Sequence, residues 1–164
     1  MTKKISKKIC KLAGIEAKRQ IEVNCCNECS DCQSGDCNTL YYPDFESPEN
    51  LVKLLECLKN TGHTVEISKD SCSISNGDTD FVEDGYDSRF SLWGDTFLEA
   101  LINYLTKWRK QLTRYGLPDG TMSEWIDTSS KLTKRDCIYP RGIDDLNKSI
   151  RKLKQALQQT EWVY

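Results

Sequence analysis

Apolar residues recur at helical spacing in four stretches of the chain, and alternate with polar ones between the second and the third. "TKKISKKICKL" sets Ile5, Ile9 and Leu12 at i, i+4, i+7 with lysines on the other side, which predicts a short docking helix with a solvated lysine face. In "SPENLVKLLECLKNTG" the residues Leu51, Leu54, Leu55 and Leu58 keep one stripe. Ser47 reads as the N-cap, Pro48 as the first helical residue and Gly62 as the left-handed stop. The period then drops to two. "HTVEIS" alternates Val65 and Ile67, "SCSIS" alternates Cys72 and Ile74, and the short link between them suits a hairpin. "YDSRFSLW" supplies a third strand with Phe90 and Leu92 on one face. "GDTFLEALINYLTKWRKQL" opens on a capping box, Thr96 to Glu99, and spaces Phe97, Leu101, Tyr104, Leu105, Trp108 and Leu112 along a helix over 96–112. "IDDLNKSIRKLKQALQQTEW" carries Leu146, Ile150, Leu153 and Leu157 on one stripe. This helix, over about 143–160, packs on the core or on a second subunit, so a homodimer is open.

These elements predict an α+β fold: a three-stranded antiparallel sheet with flanking helices over residues 47–113. Residues 1–46 add the basic helix and a cysteine-rich segment. Residues 114–164 add a loop ("YGLPDGT"), a helical turn opened by Thr121 and Glu124, and the last helix. Composition changes little here, since 38% hydrophobic residues in a chain of 164 can still build a modest core. No run nears the ~20 apolar residues that span a bilayer. "MTKKISKKICKLAGIEAKR" lacks the apolar stretch of a signal peptide. The expectation is a cytoplasmic protein with no membrane partner.

Cysteine spacing changes the picture more. "CCNECSDCQSGDC" packs five of the nine cysteines between Cys25 and Cys37. A reducing cytosol favours thiols over bridges, and an odd count cannot close into pairs. Cys26, Cys29, Cys32 and Cys37 are spaced so that a tight loop can aim several sulfurs at one ion, and Zn2+ takes four such ligands in a tetrahedron. Structural zinc is therefore the first reading. An iron–sulfur cluster is the second, because the same x2, x2 spacing wraps one, although the fourth cysteine follows after four residues with no proline behind it. Thiols that bind nothing are the third. Only Ser30 and Asp31 separate Cys29 from Cys32, so one ligand can instead come from Cys10, Cys57 or His63.

Charge is segregated along the chain. Residues 1–21 carry a net +6, residues 22–100 a net −13 and residues 101–164 a net +5. Such a chain neutralises itself on folding, or it offers an acidic surface to a basic partner or basic arms to nucleic acid. The acidic middle peaks at Asp78, Asp80, Glu83, Asp84 and Asp87, with Phe81, Val82 and Tyr86 among them. A calcium loop can be drawn through Asn76, Asp78, Asp80 and Asp87, but Phe81 stands where that loop needs Gly and Asp87 where it needs Glu. What stays open is an acidic loop that serves solvation alone, or a partner-binding segment that imitates a run of phosphates, and the second is carried forward as the functional expectation.

No catalytic residue is assigned. The chain has one histidine, His63, which follows a helix stop and is expected to cap that helix or lie exposed. A Cys/His or Ser/His pair would have to use it, and no flanking motif supports one. Neither GxGxxG nor a Walker loop occurs.

The stretches "ESPENLVKLLECLKNTGHTVEI" and "WGDTFLEALINYL" resemble the small α/β (ABA) sandwich domains of uncharacterised proteins from phages and prophages of low-GC bacteria. The "GDT-x-x-EA" step also resembles that of HicB-type antitoxins. The likeness covers about 65 of the 164 residues and rests on fold-forming positions, so it implies a fold and a phage setting rather than an activity. "MSEWIDTSSKL" is similar to the opening of another phage family, which has proline where this chain has Thr133. The expectation is a phage-encoded, non-enzymatic binding protein. It would block or sequester a host defence or nucleic-acid-handling factor by offering its acidic surface to a basic, nucleic-acid-binding one. The alternative is a zinc-containing regulator that binds nucleic acid through its basic N- and C-terminal helices.

Overall fold

The computed structural model describes residues 2–23, 36–76, 91–107 and 140–164. The first helix, α1 (Thr2–Ala13), turns Ile9, Cys10 and Ala13 inward and leaves Lys4, Lys7, Lys8 and Lys11 exposed, as its spacing predicts. Gly14 ends it at φ 74, where the Ile15 amide donates back to the Cys10 carbonyl at 2.9 Å. A side chain is strained at that φ, which is why glycine closes the helix.

Two strands follow, β1 (Lys18–Val23) and β2 (Asp36–Tyr41), paired antiparallel from Lys18 opposite Tyr41 to Val23 opposite Asp36. The sequence pattern predicts no strands here. Apolar alternation is what announces a half-buried strand, and in this ribbon Lys18, Arg19, Gln20, Thr39 and Leu40 all lie in solvent.

The next helix, α2 (Pro48–Asn60), is capped as expected: the Ser47 hydroxyl accepts from the Asn50 amide at 3.3 Å, and Gly62 follows the C-cap at φ 79. Then come β3 (His63–Ile67), β4 (Cys72–Asn76) and β5 (Ser91–Gly94), a three-stranded antiparallel sheet in the order β3-β4-β5. The predicted third strand is described from Ser91 onward. Its earlier part, including Phe90, lies outside the described residues, while Leu92 faces the core.

Helix α3 (Phe97–Thr106) begins at Thr96, whose hydroxyl accepts from the Glu99 amide at 3.2 Å. The Glu99 carboxylate returns to the Asp95 amide at 2.8 Å, one residue earlier than the usual box. The helix stops at Lys107, which takes a left-handed φ of 60. It is thus shorter than the predicted 96–112, and Trp108 and Leu112 lie outside the described residues. The last helix, α4 (Pro140–Gln159), buries Leu146, Ile150, Leu153 and Leu157 in the chain's own core.

The protein is therefore α+β, with helices against one face of a three-stranded antiparallel sheet. Helix α3 packs on β4 and β5, α2 on β3, and α1 and α4 on α3 and on each other. Gly94 lets α3 lie flush on the sheet, since a Cβ there would overlap the Ala100 amide nitrogen. The C-terminal tail locks the helices together. Trp162 meets Phe45 edge-on with centroids 5.0 Å apart. The buried Asn50 side chain donates to the carbonyls of Asp44 and Val163 and accepts from the Val163 amide. No helix among the described residues is long and apolar enough to cross a membrane.

Candidate functional site

The polar cluster that the described residues bring together runs through the core. His63 opens β3 beneath α3, and its ring nitrogens lie 2.8 Å from the Thr61 hydroxyl (Nδ1) and 2.7 Å from the Tyr104 hydroxyl (Nε2). Hydrogen counting fixes the tautomer. Thr61 already donates its proton to the Cys57 carbonyl at 2.7 Å, so it accepts from Nδ1–H, and Nε2 accepts from Tyr104. Ser149 on α4 hydrogen-bonds Tyr104 in turn, and accepts from the Asn76 amide group at 3.2 Å. Burial holds His63 neutral, with its pKa lowered to about 4, and the positive charge of Lys152 adds to this. Burial also pushes the Tyr104 phenol well above its ordinary range.

His63 is therefore not exposed: it meets the end of α2 at Thr61 and the Leu58 backbone, as a capping role expects, and from its buried place it also links β3 to α3. Both of its nitrogens are committed, which leaves it no lone pair for a metal and no free position as a base. Cys10 and Cys57 are buried in α1 and α2. Burial pushes the Cys10 thiol up to about 11, and the Cys57 sulfur lies 3.0 Å from the Thr160 hydroxyl. All three candidates for an outlying metal ligand are thus held inside the packed body.

Of the four cysteines expected to bind metal, Cys37 sits in β2 opposite Glu22, at the second paired position from the ribbon's open end. Cys26, Cys29 and Cys32 lie outside the described residues, in the segment that joins β1 to β2. Among the described residues, no group of three or more His, Cys, Asp or Glu stands ready to hold an ion. Asp78, Asp80, Glu83, Asp84 and Asp87 also lie outside the described residues. They belong to the fourteen residues, 77–90, that join the neighbouring strands β4 and β5. A cleft of about 400 Å³ opens beside α1 and β2, lined by Ser6, Lys7, Leu40, Tyr42, Pro43 and Asp44. Its single ammonium and single carboxylate make no convergent constellation for chemistry.

Sequence reasoning missed Asn50, Tyr104 and Ser149 as polar members of the core. Asn50 reads as an ordinary first-turn residue, and Tyr104 as one more member of an apolar stripe. Tyr104 meets His63 41 residues away and Asn50 meets Val163 113 residues away, and no local signal marks these pairings. Comparison with known families, curated proteins and solved structures finds no match to this chain.

Proposed function

We propose that this protein is a non-enzymatic binding protein that presents the acidic segment 77–90 to a basic partner. The observation behind this is the length and charge of that connection. Ser75 pairs directly with Ser91, so β4 and β5 are hydrogen-bonded neighbours, and such neighbours need only about two to five linking residues. Here there are fourteen, with five carboxylates against Arg89. Connections this long are uncommon in compact domains and are usually either functional or linker segments, and the concentration of carboxylates favours the first. The partner this chemistry fits is a host protein with a basic, nucleic-acid-binding surface, and with the phage setting that the resemblance implies, a host defence or nucleic-acid-handling factor is the target we propose.

The same reading gives the cysteine segment a structural zinc at Cys26, Cys29, Cys32 and Cys37, with an iron–sulfur cluster as second choice. Two-stranded ribbons are marginal on their own, and Lys18, Arg19, Gln20, Thr39 and Leu40 of β1 and β2 lie in solvent, with Tyr41 half-buried. A metal at the ribbon's end would supply the order that a core does not.

The test is capture from a bacterial lysate by immobilised wild type and by a triple charge reversal, Asp80→Lys, Glu83→Lys, Asp84→Lys. Wild type should retain basic nucleic-acid-handling proteins that elute as salt rises, and the reversal should lose them. Equal capture by both proteins would sink the reading. A second reading rests on the exposed lysines of α1 and on exposed Lys148, Arg151 and Lys152 of α4, which suit phosphate contacts. It predicts retention on heparin that falls steeply with salt and with loss of those lysines.

A further inference from the structure

A cleft of about 770 Å³ opens where the end of α1, the start of β1 and the C-terminal tail meet, within the size range of ligand sites. Its walls are held in place. Gln158 of α4 donates to the Ala13 carbonyl at 2.9 Å and lies so close over Gly14 that a Cβ there would overlap its amide. The Trp162 indole N–H donates to the Leu157 carbonyl at 3.0 Å, and Asn50 clamps the Val163 backbone through both ends of its amide. Tyr164 closes the cleft: its hydroxyl donates to the Glu16 carbonyl at 3.0 Å, and its ring stays 41% exposed.

Three charged side chains line this space, Glu16, Lys18 and Glu161. The Lys18 ammonium lies over the Tyr164 ring, 4.1 Å from its centroid. Neither carboxylate is in an ion pair among the described residues, with Lys18 or with any other cation. Burial raises the Tyr164 phenol above its ordinary value, and the neighbouring Cys10 and Glu16 add to this, which places Glu16 near the ring. The chain's own cation thus uses the π face and leaves both carboxylates, and the open volume beside it, unused.

A cation that uses ring and carboxylates together has to be flat and forked. Guanidinium stacks on an aromatic face and keeps its N–H groups for carboxylates, whereas a compact ammonium does this less well. The lysine contact it would replace is exposed and worth only about two- to fivefold in affinity, so it exchanges readily. We infer that this cleft receives an arginine side chain of a partner peptide, which displaces Lys18 from the Tyr164 ring and is held by Glu16 and Glu161. All of these residues lie outside 77–90, so the inference goes beyond the acidic-segment reading and does not depend on it.

The experiment titrates isotope-labelled full-length protein with Nα-acetyl-arginine-amide and follows it by NMR. In the free protein the Lys18 side-chain methylenes lie under the shielding of the Tyr164 ring. The ligand should shift the Tyr164 ring and Trp162 indole signals and return the Lys18 methylenes toward their ordinary positions. Nα-acetyl-lysine-amide should bind more weakly. Tyr164→Leu should weaken arginine binding roughly two- to fivefold, while Tyr164→Phe keeps the ring and should bind as wild type. Glu16→Gln and Glu161→Gln should each weaken binding and flatten its salt dependence. Lys18→Gln should tighten it roughly two- to fivefold, and Lys18→Arg should weaken it, because a built-in guanidinium holds the ring better. The Lys18→Arg change keeps the charge and so separates ring occupancy from net charge. Lys18 is exposed, so both of its variants stay readable where Tyr164→Leu fails to fold.

Binding that leaves the Lys18 and Tyr164 signals in place, equal affinity in Lys18→Gln and Lys18→Arg, or no binding by wild type would each overturn the inference. The Asp80→Lys, Glu83→Lys, Asp84→Lys variant should bind this ligand as wild type does. Loss of the Tyr164 shifts in that variant would assign the cation to the acidic segment and overturn the cleft.

Discussion

Two antiparallel pairs in this protein each carry an inserted segment rich in one kind of side chain, and they are built on opposite principles. The pair β4 and β5 has its back in the core, with Ile74 and Leu92 fully buried against α3. Its acidic insert joins two strands that the described core already holds. The pair β1 and β2 leaves Lys18, Arg19, Gln20, Thr39 and Leu40 in solvent, with Tyr41 half-buried and Lys18 over the Tyr164 ring at 4.1 Å. An insert on a packed sheet is free to serve recognition alone. An insert on a bare ribbon has to help hold the ribbon, which is the role we propose for zinc.

Metal removal should separate the two regions most sharply. Binding free energies of structural zinc are on the order of 10 kcal/mol. Chelation, or Cys29→Ser with Cys32→Ser, should therefore release the metal and speed amide exchange throughout 18–41. Exchange in β3, β4 and β5 should stay slow. Protein purified without chelator should carry about one zinc per chain. Fresh protein with neither zinc nor iron, and a ribbon still slow to exchange, would remove the metal from the account.

The converse lesion is in the core. Leu101 is fully buried in α3, and Leu101→Ala should cost about 2–5 kcal/mol in denaturant unfolding. An unchanged midpoint would mean that α3 is not packed on the sheet.

Acid should act on the sheet through His63. The unfolded chain takes up a proton below pH 6.5, but the folded imidazole resists until about 4. Stability is thus complete above pH 6.5 and falls as pH drops toward 4, by about 3 kcal/mol in all. His63→Gln should flatten that slope. A wild-type stability curve that is level from pH 7 to pH 4 would mean that the imidazole is not buried neutral.

The smallest effect is at a cap. Thr96→Ala should cost about 1 kcal/mol by freeing the Glu99 amide, with Thr96→Ser restoring most of it. A loss of several kcal/mol would mean that Thr96 holds more than the helix start.

These contrasts follow what the sequence makes legible. Ser47, Gly62 and Thr96 act within four residues of themselves, and the stripes of α1 and α4 face the core as their spacing predicts. The ribbon escaped because its alternation is brief: Ile21 and Val23 stand beside polar Lys18, Arg19, Gln20, Asn38 and Thr39. Lys107 ends α3 early although the apolar spacing continues to Leu112, since a stripe reports which face is buried and not where the backbone turns. The His63–Tyr104 link and the Asn50 clamp are tertiary and leave no periodic trace. For the candidate sites, sequence supplies composition and spacing, and the fold supplies the two strand pairs from which those segments extend.

The central claim is that the acidic insert recruits a basic partner without supporting the fold. Its most direct measurement is the association rate of an oligoarginine peptide, followed by stopped flow from about 50 to about 200 mM salt, for wild type and the Asp80→Lys, Glu83→Lys, Asp84→Lys variant. The wild-type rate should fall steeply with salt, and the variant should associate slowly at every salt concentration while melting at the wild-type temperature. A variant that associates as fast as wild type, or one that melts far below it, would contradict the claim.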